Sequence, residues 1–452
     1  MRKELKKDYL FTNKDLMQLI LPLMVDQLLA ITVGLADSIM VSSIGESAVS
    51  AVSLVDSITI LLINIFAAIA SGGAIVVGQY IGQKRPDMAR KAGEQLLVFV
   101  MFVSVVIMAI LYLGKGFILN VVFGKIEPDV KDFANTYLLI VFASIPFIAM
   151  YNSGAALFRA IRNSRITLAT SIIMNVINIS GNALLIYGFG MKVEGAAIPT
   201  LISRAVAAII IVVLLMDESL TVYISKNFRY KFDKKMVLRI LNLGIPNGIE
   251  NSMFQLGKIL LLSIISGLGT VSIAANAVAN TISAFQIITG IAVGLGLITV
   301  VSQCVGAGDY EQVRYYTRKL LIYTYISFVI VNAVIILAMP LILKIYNLSS
   351  ETAGMAKQLI VFNGIASSLF WPTAFTLPNT LRSSNDVQYT MVVGISSMWI
   401  FRIGFGVLFV KYFNMGVFGV WIAMYFDWIV RAALFIIRYR GHKWQIYKEN
   451  GS

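Results

Sequence analysis

The sequence predicts an all-α integral membrane protein whose twelve transmembrane helices form two six-helix bundles. Three observations lead to this fold class. The chain of 452 residues is 58% hydrophobic and only 13% charged, and its mean hydropathy of +0.81 exceeds what soluble domains sustain over such a length. Twelve apolar runs are each long enough to cross a hydrocarbon layer of about 30 Å. The second half of the chain also repeats the first at a constant offset, which aligns Leu19 with Leu243.

The twelve apolar runs follow one another from the N-terminal segment to the basic tail. The first is longer and more acidic than a signal peptide, and its flank lacks a small-residue cleavage site, so we expect it to be a retained span. Polar or charged connections separate the other runs, which places each of them across the membrane in turn. The predicted spans are residues 15–38, 52–80, 93–114, 133–158, 166–188, 195–216, 236–265, 274–304, 319–343, 356–379, 388–410 and 416–437.

The internal repeat is clearest where Leu19–Asp26, LILPLMVD, aligns with Leu243–Glu250, LGIPNGIE. A unit of six spans returns to its starting side, so both copies enter the membrane in the same orientation. We therefore expect a pseudo-twofold axis along the membrane normal, with binding sites near the midplane between the halves. The predicted domains are an N-terminal six-helix bundle at residues 1–216, a cytoplasmic linker at 217–235 and a C-terminal six-helix bundle with a cytoplasmic basic tail at 236–452.

The net charge of +14 follows the predicted membrane topology. Lysine and arginine crowd the N-terminus, every second connection and the C-terminal tail, while the intervening connections contain few of them. The positive-inside rule therefore places both termini in the cytoplasm, which agrees with an even number of spans across the cell membrane. This distribution predicts contact with membrane lipid, and we expect no nucleic-acid partner.

The sequence has one cysteine, Cys304, and one histidine, His442. A disulfide, a thiolate zinc site and a Cys/His catalytic pair within one chain are therefore excluded. The sequence also shows no nucleophile–base pair, no metal-ligand cluster and no repeated pore motif. Neither an intramembrane enzyme nor a channel is favoured, and we expect no cofactor.

Carboxylates inside the apolar runs mark the predicted site. Asp26 and Asp37 both lie in the first run, about three helical turns apart, so their side chains fall on nearly the same face. An acid at membrane depth is costly unless it faces a cavity or a partner, which indicates a site for ions, protons or substrate. The alternative is that each acid only holds a neighbouring helix through a hydrogen bond.

Other polar residues are distributed unevenly between the two halves. Asn178 and Asn182 share one face of the fifth run, whereas the aligned positions of the second half replace Asp37 with Leu261 and Asn178 with Arg402. An ion site of this kind is therefore predicted in the first half alone. The residues predicted to line a substrate cavity are Asp26, Asp56, Glu250, Gln255 and Asn280.

The chain resembles the multidrug and toxic compound extrusion transporters, within the superfamily that also contains lipid-linked oligosaccharide flippases. The resemblance covers essentially the whole chain and includes the twelve spans and the six-plus-six repeat. The motifs that carry it are ADSIMVSSIG at Ala36–Gly45, GQYIGQ at Gly78–Gln83, LFRAIRNSR at Leu157–Arg165 and NISGNALLIYGFGMKVEGAAIPTLIS at Asn178–Ser203.

This resemblance implies that Asp37 is central to cation coupling and that Asn178, Asn182 and Thr200 are the other pocket positions. The chain departs from many members of the family at Asn182, where those members have an acid. A single carboxylate with neutral oxygens around it can hold a monovalent cation or bind a proton. The coupling ion is therefore either H⁺ or Na⁺, and Asp37 is the one candidate position for a bound metal cation.

The implied function is secondary active multidrug efflux by alternating access, in exchange for protons or sodium ions. The exported compounds are expected to be lipophilic small molecules, and the intramembrane acids favour cationic ones, whereas Lys258 and Arg402 oppose this preference. The alternative is a flippase or exporter of a lipid-linked or other amphipathic precursor, which would need a cationic cavity for its pyrophosphate. We expect the protein to work as a monomer and not to be an enzyme.

Overall fold

The computed structural model describes residues 9–124, 126–225, 231–346 and 348–445, which are helical and contain no β-strand. Residues 226–230 of the predicted linker lie outside the described residues. The helices of the first half are α1 (Asn13–Ser42), α2 (Glu46–Gly82), α3 (Pro86–Leu113), α4 (Lys115–Phe117), α5 (Pro128–Ala143), α6 (Ile145–Ala160), α7 (Ser164–Ala183) and α8 (Glu194–Leu214). Those of the second half are α9 (Lys234–Ser266), α10 (Thr270–Gln286), α11 (Ile288–Gly306), α12 (Tyr310–Leu337), α13 (Met339–Tyr346), α14 (Ser350–Trp371), α15 (Pro378–Ser383), α16 (Val387–Ser397), α17 (Phe405–Lys411) and α18 (Gly416–Arg440). Wider π-helical turns occupy Ile118–Val122, Leu184–Gly188, Pro372–Thr376 and Met398–Gly404.

These helices form the predicted membrane spans. In the described chain, ten helical segments are long and apolar enough to cross a membrane, and α5 with α6, bent by 43°, makes an eleventh. The bend lies where Pro146 opens α6, because proline cannot donate the backbone hydrogen bond that would continue α5. The remaining predicted span is α9. Its 33 residues are long enough to cross a membrane, but it is less apolar because it includes the charged Glu250 and Lys258. The all-α, twelve-helix fold class is therefore confirmed.

The sequence repeat is also visible in the backbone of the connections. Gly45 and Gly269 are aligned positions of the repeat, and they precede α2 and α10 with φ angles of 137° and 88°, which favour glycine. Arg162 and Asn385, one position away from alignment, follow α6 and α15 with φ angles of 67° and 71°. The two halves therefore stay in register to within one residue from their second helix to their fifth span.

The described helices pack into two compact units. The N unit contains residues 25–248, and the C unit contains residues 1–24 and 249–452. These boundaries fall within α1 and α9 and differ from the predicted limits at residues 216 and 236. The reason is that the first turns of α1 pack into the C unit, whereas the first turns of α9 pack into the N unit.

In the N unit, the first turns of α9 lie against α2 at a glycine contact. A Cβ atom added to Gly72 would lie 2.7 Å from both the backbone N of Gly244 and the backbone O of Ile240, a distance that side chains do not tolerate. Beside this contact, Arg239 donates to Tyr80 Oη at 2.7 Å and to Gln79 Oε1 at 2.9 Å. The missing side chain at position 72 therefore sets how closely the two helices approach.

In the C unit, the start of α1 packs into the apolar core formed with α11 and α12. Leu16 and Leu19 are fully buried in the same cluster as Leu297 and Leu320. Just before α1, the backbone N of Phe11 donates to Tyr316 Oη at 2.8 Å. Because α1 is one continuous helix, this anchor lies on the same element as Asp37 of the N unit.

Candidate functional site

The four predicted coupling residues lie together in the N unit. Asp37 comes from α1, Asn178 and Asn182 come from successive turns of α7, and Thr200 comes from α8. Asn182 Nδ2 donates to Asp37 Oδ1 at 2.8 Å. With its amide turned so that both ends find complementary partners, Asn178 donates to the same oxygen at 2.9 Å and accepts from Thr200 Oγ1 at 3.1 Å. All four side chains therefore belong to one cluster around a single carboxylate.

This arrangement suits a positively charged ligand. The two amides donate to Asp37 and stabilise its ionised form, while Asn182 Oδ1 is buried and has no hydrogen-bond partner within the described chain. Carboxylate and amide oxygens are the ligands that hard cations prefer. The described residues contain no group of three or more His, Cys, Asp or Glu side chains that could hold a metal ion. A cation at Asp37 would therefore be completed by neutral side-chain oxygens.

A second carboxylate and an arginine lie close to this cluster. Tyr137 Oη donates to Asp56 Oδ1 at 3.3 Å, and Arg204 interacts electrostatically with both Asp56 and Asp37. The two acids and the guanidinium form one electrostatic group, so binding of a single positive charge neutralises it. The sequence analysis missed Arg204, although a lone arginine one helical turn after Thr200 in an apolar run is a detectable signal.

Asp26 belongs to a second polar group of the N unit. Its carboxylate interacts with Ser171 and, electrostatically, with Arg159, in the last turn of α6. Tyr151 interacts with the same three residues. The acid that the sequence analysis assigned to the substrate cavity therefore has a basic partner within its own unit.

Glu250, the repeat counterpart of Asp26, has the same kind of partner in the C unit. Arg382 Nη2 lies 2.7 Å from Glu250 Oε2 and forms a hydrogen-bonded ion pair with it. Arg382 lies in the last turn of α15 as Arg159 lies in the last turn of α6, and the two arginines are aligned in the repeat to within one residue. Each unit thus pairs the acid of its first repeat helix with an arginine at the end of the fourth span.

The C unit extends this pair into a buried ionic network. Arg431 lies 3.7 Å from Glu250 and binds Asp427 through its Nε at 2.9 Å. Arg402 Nε lies 3.2 Å from the other oxygen of Asp427, but neither atom has a hydrogen-bond partner within the described chain. With Arg382, three arginines therefore surround two carboxylates.

The C unit also contains a cavity of about 500 Å³. This volume lies within the range of small-molecule sites, roughly 300 to 1,000 Å³. The ionisable groups that line it are Lys258 and Arg402, and Asn280 is among its polar lining residues. Its other walls are largely aromatic and aliphatic. The aromatic lining residues are Phe254, Trp371, Phe375, Trp421 and Trp428.

The five residues predicted for a substrate cavity are placed in different surroundings. Asn280 lines the larger cavity, and Glu250 lines a smaller one of about 160 Å³ together with Arg382 and Arg431. Asp26 and Asp56 belong to the two polar groups of the N unit described above. Gln255 lies on α9 and lines neither of these two cavities.

The profile of the MatE family matches residues 22–184 and 246–408 of this chain. Positions 22 and 246, where the two matched segments begin, are aligned in the internal repeat, and so are positions 184 and 408, where they end. Together the segments cover well over half of the chain.

Curated relatives and solved structures resemble the chain over nearly its whole length. It is 26% identical over 387 residues to "Probable multidrug resistance protein YoeA" of Bacillus subtilis (strain 168), covering 84% of this chain and 82% of the relative. It is 24% identical over 462 residues to "Probable multidrug resistance protein NorM" of Thermotoga maritima, covering 98% and 97%. A solved structure described as "Outward-facing conformation of a multidrug resistance MATE family transporter of the MOP superfamily" matches with a TM-score of 0.88 at 20% identity, covering 94% of this chain and 95% of that chain.

Proposed function

Because this chain belongs to the MatE family, the multidrug and toxic compound extrusion transporters, we propose that it exports lipophilic small molecules by secondary active transport. In this proposal it lies in the cell membrane as a monomer in contact with lipid, with both termini in the cytoplasm. Two relatives that resemble it over most of its length are named multidrug resistance proteins, which supports efflux as its activity. No cofactor is part of the proposal, and the coupling ion is H⁺ or Na⁺.

One observation carries the ion coupling: a carboxylate in an apolar bundle, Asp37, is held by two amides of α7. Such a group binds a proton or cation when it is open to the side where the ion is abundant, and releases it when access changes to the other side. Coupling requires that ion and substrate each prefer one of the two access states. We assign Asp37 as the ion-binding acid and Asn178, Asn182 and Thr200 as the residues that orient it.

Protons are the favoured coupling ion in this proposal. Position 182 is an asparagine, so one carboxylate directly faces the bound ion, and a monovalent metal ion would be held by one formal charge. Arg204 weakens the attraction for a metal ion further, because it interacts with both Asp37 and Asp56. A lone buried acid binds a proton covalently and does not need several charged ligands.

Arginines offset the acids that underlay the expected preference for cationic substrates. Asp26 has Arg159, Asp56 has Arg204 and Glu250 has Arg382 within electrostatic or hydrogen-bonding range. The excess negative charge on which that preference depends is therefore reduced in both units. The proposal accordingly keeps lipophilic compounds as the substrate class and does not derive their charge from these acids.

The second candidate function is export or flipping of an amphipathic precursor with an anionic head. The observation that favours it is the cavity of the C unit, whose ionisable lining residues, Lys258 and Arg402, are both cationic. An anionic head group such as a pyrophosphate would find complementary charge there.

The test of ion-coupled export is transport by the full chain reconstituted in proteoliposomes that contain a fluorescent lipophilic dye. Dye movement is followed under a proton gradient alone, under a sodium gradient alone and without a gradient. We expect an imposed proton gradient to accelerate dye movement across the vesicle membrane. Equal rates in all three conditions would contradict secondary active transport, and acceleration by sodium alone would contradict the choice of protons.

A further inference from the structure

The cavity of the C unit has positive charge that its own surroundings do not neutralise. Its ionisable lining residues are Lys258 of α9 and Arg402 of the π-helical turn before α17. The smaller cavity beside it contains Glu250, but that carboxylate is bound by Arg382 at 2.7 Å and lies 3.7 Å from Arg431. The carboxylate of Glu250 is therefore already paired with two arginines and does not neutralise Lys258 or Arg402.

Asp427, the acid nearest to Arg402, is occupied as well. It accepts hydrogen bonds from Arg431 Nε and Ser397 Oγ through one oxygen. Its other oxygen lies 3.2 Å from Arg402 Nε without a hydrogen bond. Lys258 has no ion pair with any carboxylate in the described part of the chain. Lys258 and the three arginines that line the two cavities are balanced by two carboxylates, Glu250 and the buried Asp427, which lines neither cavity, so two positive charges remain.

The two cations that line the larger cavity share one aromatic ring. Both lie over the ring of Phe254: the Lys258 ammonium nitrogen is 5.1 Å from its centroid, and the Arg402 guanidinium carbon is also 5.1 Å from it. The electrostatic interaction of Lys258 with Arg402 is repulsive. Like charges repel strongly where water is scarce, and a ring face offsets only part of that repulsion. An anion in the cavity that contacts both cations would replace this repulsion with two attractions.

The rest of the cavity is built for an apolar body with flat faces. Three of the five tryptophans in the sequence line it, namely Trp371, Trp421 and Trp428. Trp371 stacks on Phe375 with ring centroids 5.0 Å apart, and Trp421 Nε1 donates to Asn276 at 3.1 Å. Trp428 Nε1 is buried and has no acceptor within the described chain, so it is a further donor in the cavity wall. Aromatic walls of this kind bind ring systems and alkyl chains.

We infer that the cavity of the C unit binds an amphipathic organic anion, with its sulfonate, carboxylate or phosphate at the cationic side chains of Lys258 and Arg402 and its apolar body against the tryptophans. That this ligand is also transported rests on the export function proposed above. That it binds to the cavity is tested at equilibrium, without any ion gradient. The binding inference and the transport proposal can therefore fail separately.

The binding experiment uses two probes that share one fluorophore and differ in charge. A dansyl amide of taurine carries a sulfonate, and the matching dansyl amide of aminoethyl-trimethylammonium carries a quaternary ammonium. Each is titrated into the full-length protein in nanodiscs of zwitterionic lipid, and binding is read from energy transfer from tryptophan to dansyl, because tryptophans line the cavity. We expect the sulfonate probe to bind about tenfold or more tightly than the ammonium probe, since one favourable ionic contact in a partly desolvated site has about this effect.

Substitutions of Lys258 identify the site. Lys258→Met keeps much of the side-chain volume and removes the charge, and it breaks no ion pair seen in the described chain, so we expect a folded protein whose affinity for the sulfonate probe falls about tenfold. Lys258→Glu should reverse the preference toward the ammonium probe. The matched control is Lys344→Met, because Lys344 is a lysine of α13 in the same unit and lines neither cavity. It should bind both probes like the wild type.

The lipid composition of the nanodisc distinguishes two possible sources of the bound anion, a lipid head group and a free organic anion. If an anionic lipid head group is the natural occupant, adding phosphatidylglycerol to the disc should weaken binding of the sulfonate probe to the wild type and leave Lys258→Met unchanged. If a free organic anion is the occupant, phosphatidylglycerol should have no such selective effect. Both results support an anion site and assign its source.

The inference is overturned if the wild type binds both probes equally, or if Lys258→Met and Lys344→Met bind the sulfonate probe alike. Arg402→Gln provides a second test of the same site, through its binding of the sulfonate probe. Because Arg402 contacts the buried Asp427, folding of this variant is checked by gel filtration and circular dichroism. Loss of dye export in proteoliposomes together with intact probe binding would count against the proposed transport function and not against the anion site.

Discussion

At the scale of single residues, Asp37 is distinguished from the other intramembrane acids by its hydrogen-bond donors. The hydrogen bonds that reach Asp37 come from the amides of Asn178 and Asn182, whereas Glu250 is hydrogen-bonded directly to an arginine. Arg204 interacts electrostatically with Asp37, as it does with Asp56. Neutral donors orient a carboxylate and leave its charge available to an incoming cation or proton.

The first prediction is that Asp37→Asn abolishes ion-coupled dye export and leaves the protein folded. An amide of the same shape keeps hydrogen bonds to the α7 asparagines but cannot bind a proton or balance a cation. Gradient-driven export in proteoliposomes should fall to the rate of protein-free vesicles. The matched control is Asp87→Asn, at an exposed acid in the first turn of α3, and it should export like the wild type. Normal export by Asp37→Asn would remove this residue from the mechanism.

The second prediction concerns Asn182, which stands 2.8 Å from the Asp37 carboxylate. In Asn182→Asp, a second carboxylate would strengthen the attraction for a monovalent cation and raise the proton affinity of one member of the pair. We expect sodium-dependent export to increase relative to the wild type when dye export is measured at fixed pH with and without a sodium gradient. Asn175→Asp adds an acid to the same helix two turns away and serves as the control. Strong sodium dependence of the wild type that Asn182→Asp does not change would show that this position does not select the ion.

At the scale of helices, the start of α9 is held in the N unit by a close backbone contact and by a capping residue. Gly72 allows α2 and α9 to meet at Gly244. Asp233, just before α9, accepts from the backbone N of Met236 at 3.0 Å and binds the Lys91 ammonium at 2.5 Å. Both features attach the linker side of α9 to helices of the first half.

The third prediction is that Gly72→Ala destabilises the protein by about 1–3 kcal/mol, the usual effect of overpacking a close contact. The added methyl would lie 2.7 Å from backbone atoms of Ile240 and Gly244, which cannot rotate away as a side chain can. The measurement is the unfolding temperature of the purified protein in detergent. The control is Gly354→Ala, a glycine of α14 with open space at its Cβ position, which should be neutral or slightly stabilising. Equal unfolding temperatures for Gly72→Ala and the wild type would contradict the contact.

The fourth prediction is that Asp233→Ala lowers the stability of the folded protein by about 1 kcal/mol at neutral pH, the typical loss when a helix cap is removed. Hydrogen bonds from Lys91 and from the backbone of Met236 lower the pKa of Asp233 below its ordinary value of 3.8. A lowered pKa means that the contribution is present above the ordinary value and is lost as pH falls through the folded-state value. The difference in unfolding temperature between the two proteins should therefore shrink below a pH of about 4. A difference that grows on acidification would contradict this assignment.

At the scale of the whole molecule, the two packing units do not coincide with the two halves of the repeat. Residues 1–24 belong to the C unit and residues 25–248 to the N unit, so α1 and α9 each contribute to both. A helix shared in this way is tied to both units along its length. The buried start of α1 and Asp37 therefore lie on one helix.

The fifth prediction tests the orientation of the molecule in the membrane. A cysteine at Glu218, an exposed position in the described part of the linker, should be protected from a membrane-impermeant thiol reagent in intact cells and react after permeabilisation. Glu127→Cys, in the connection that should face outside, is the positive control. Both are made in a Cys304→Ala background, because Cys304 is the only cysteine of the sequence. Labelling of Glu218→Cys from outside would reverse the predicted orientation.

The sequence by itself determined the twelve helical segments, the repeat and the position of the acids within the spans. These properties are local: apolar length decides which segments enter a membrane, and the backbone must form helices there because lipid offers it no hydrogen bonds. The position of Asp37, Asn178, Asn182 and Thr200 in one cluster followed from the family resemblance. Hydropathy alone would not have joined Asp37 to Asn182, which lie far apart in the chain.

Only the tertiary structure decided which charged side chains interact with one another. Arg382 binds Glu250 from a distant part of the chain, Arg204 interacts with Asp56 and Asp37, and Lys258 and Arg402 both lie over Phe254. The boundaries of the packing units were also decided there, since they depend on which neighbour each turn of α1 and α9 contacts. Helix formation is determined within a turn or two of the chain, whereas the sign of the charge in a cavity is set by side chains from distant helices that packing brings together.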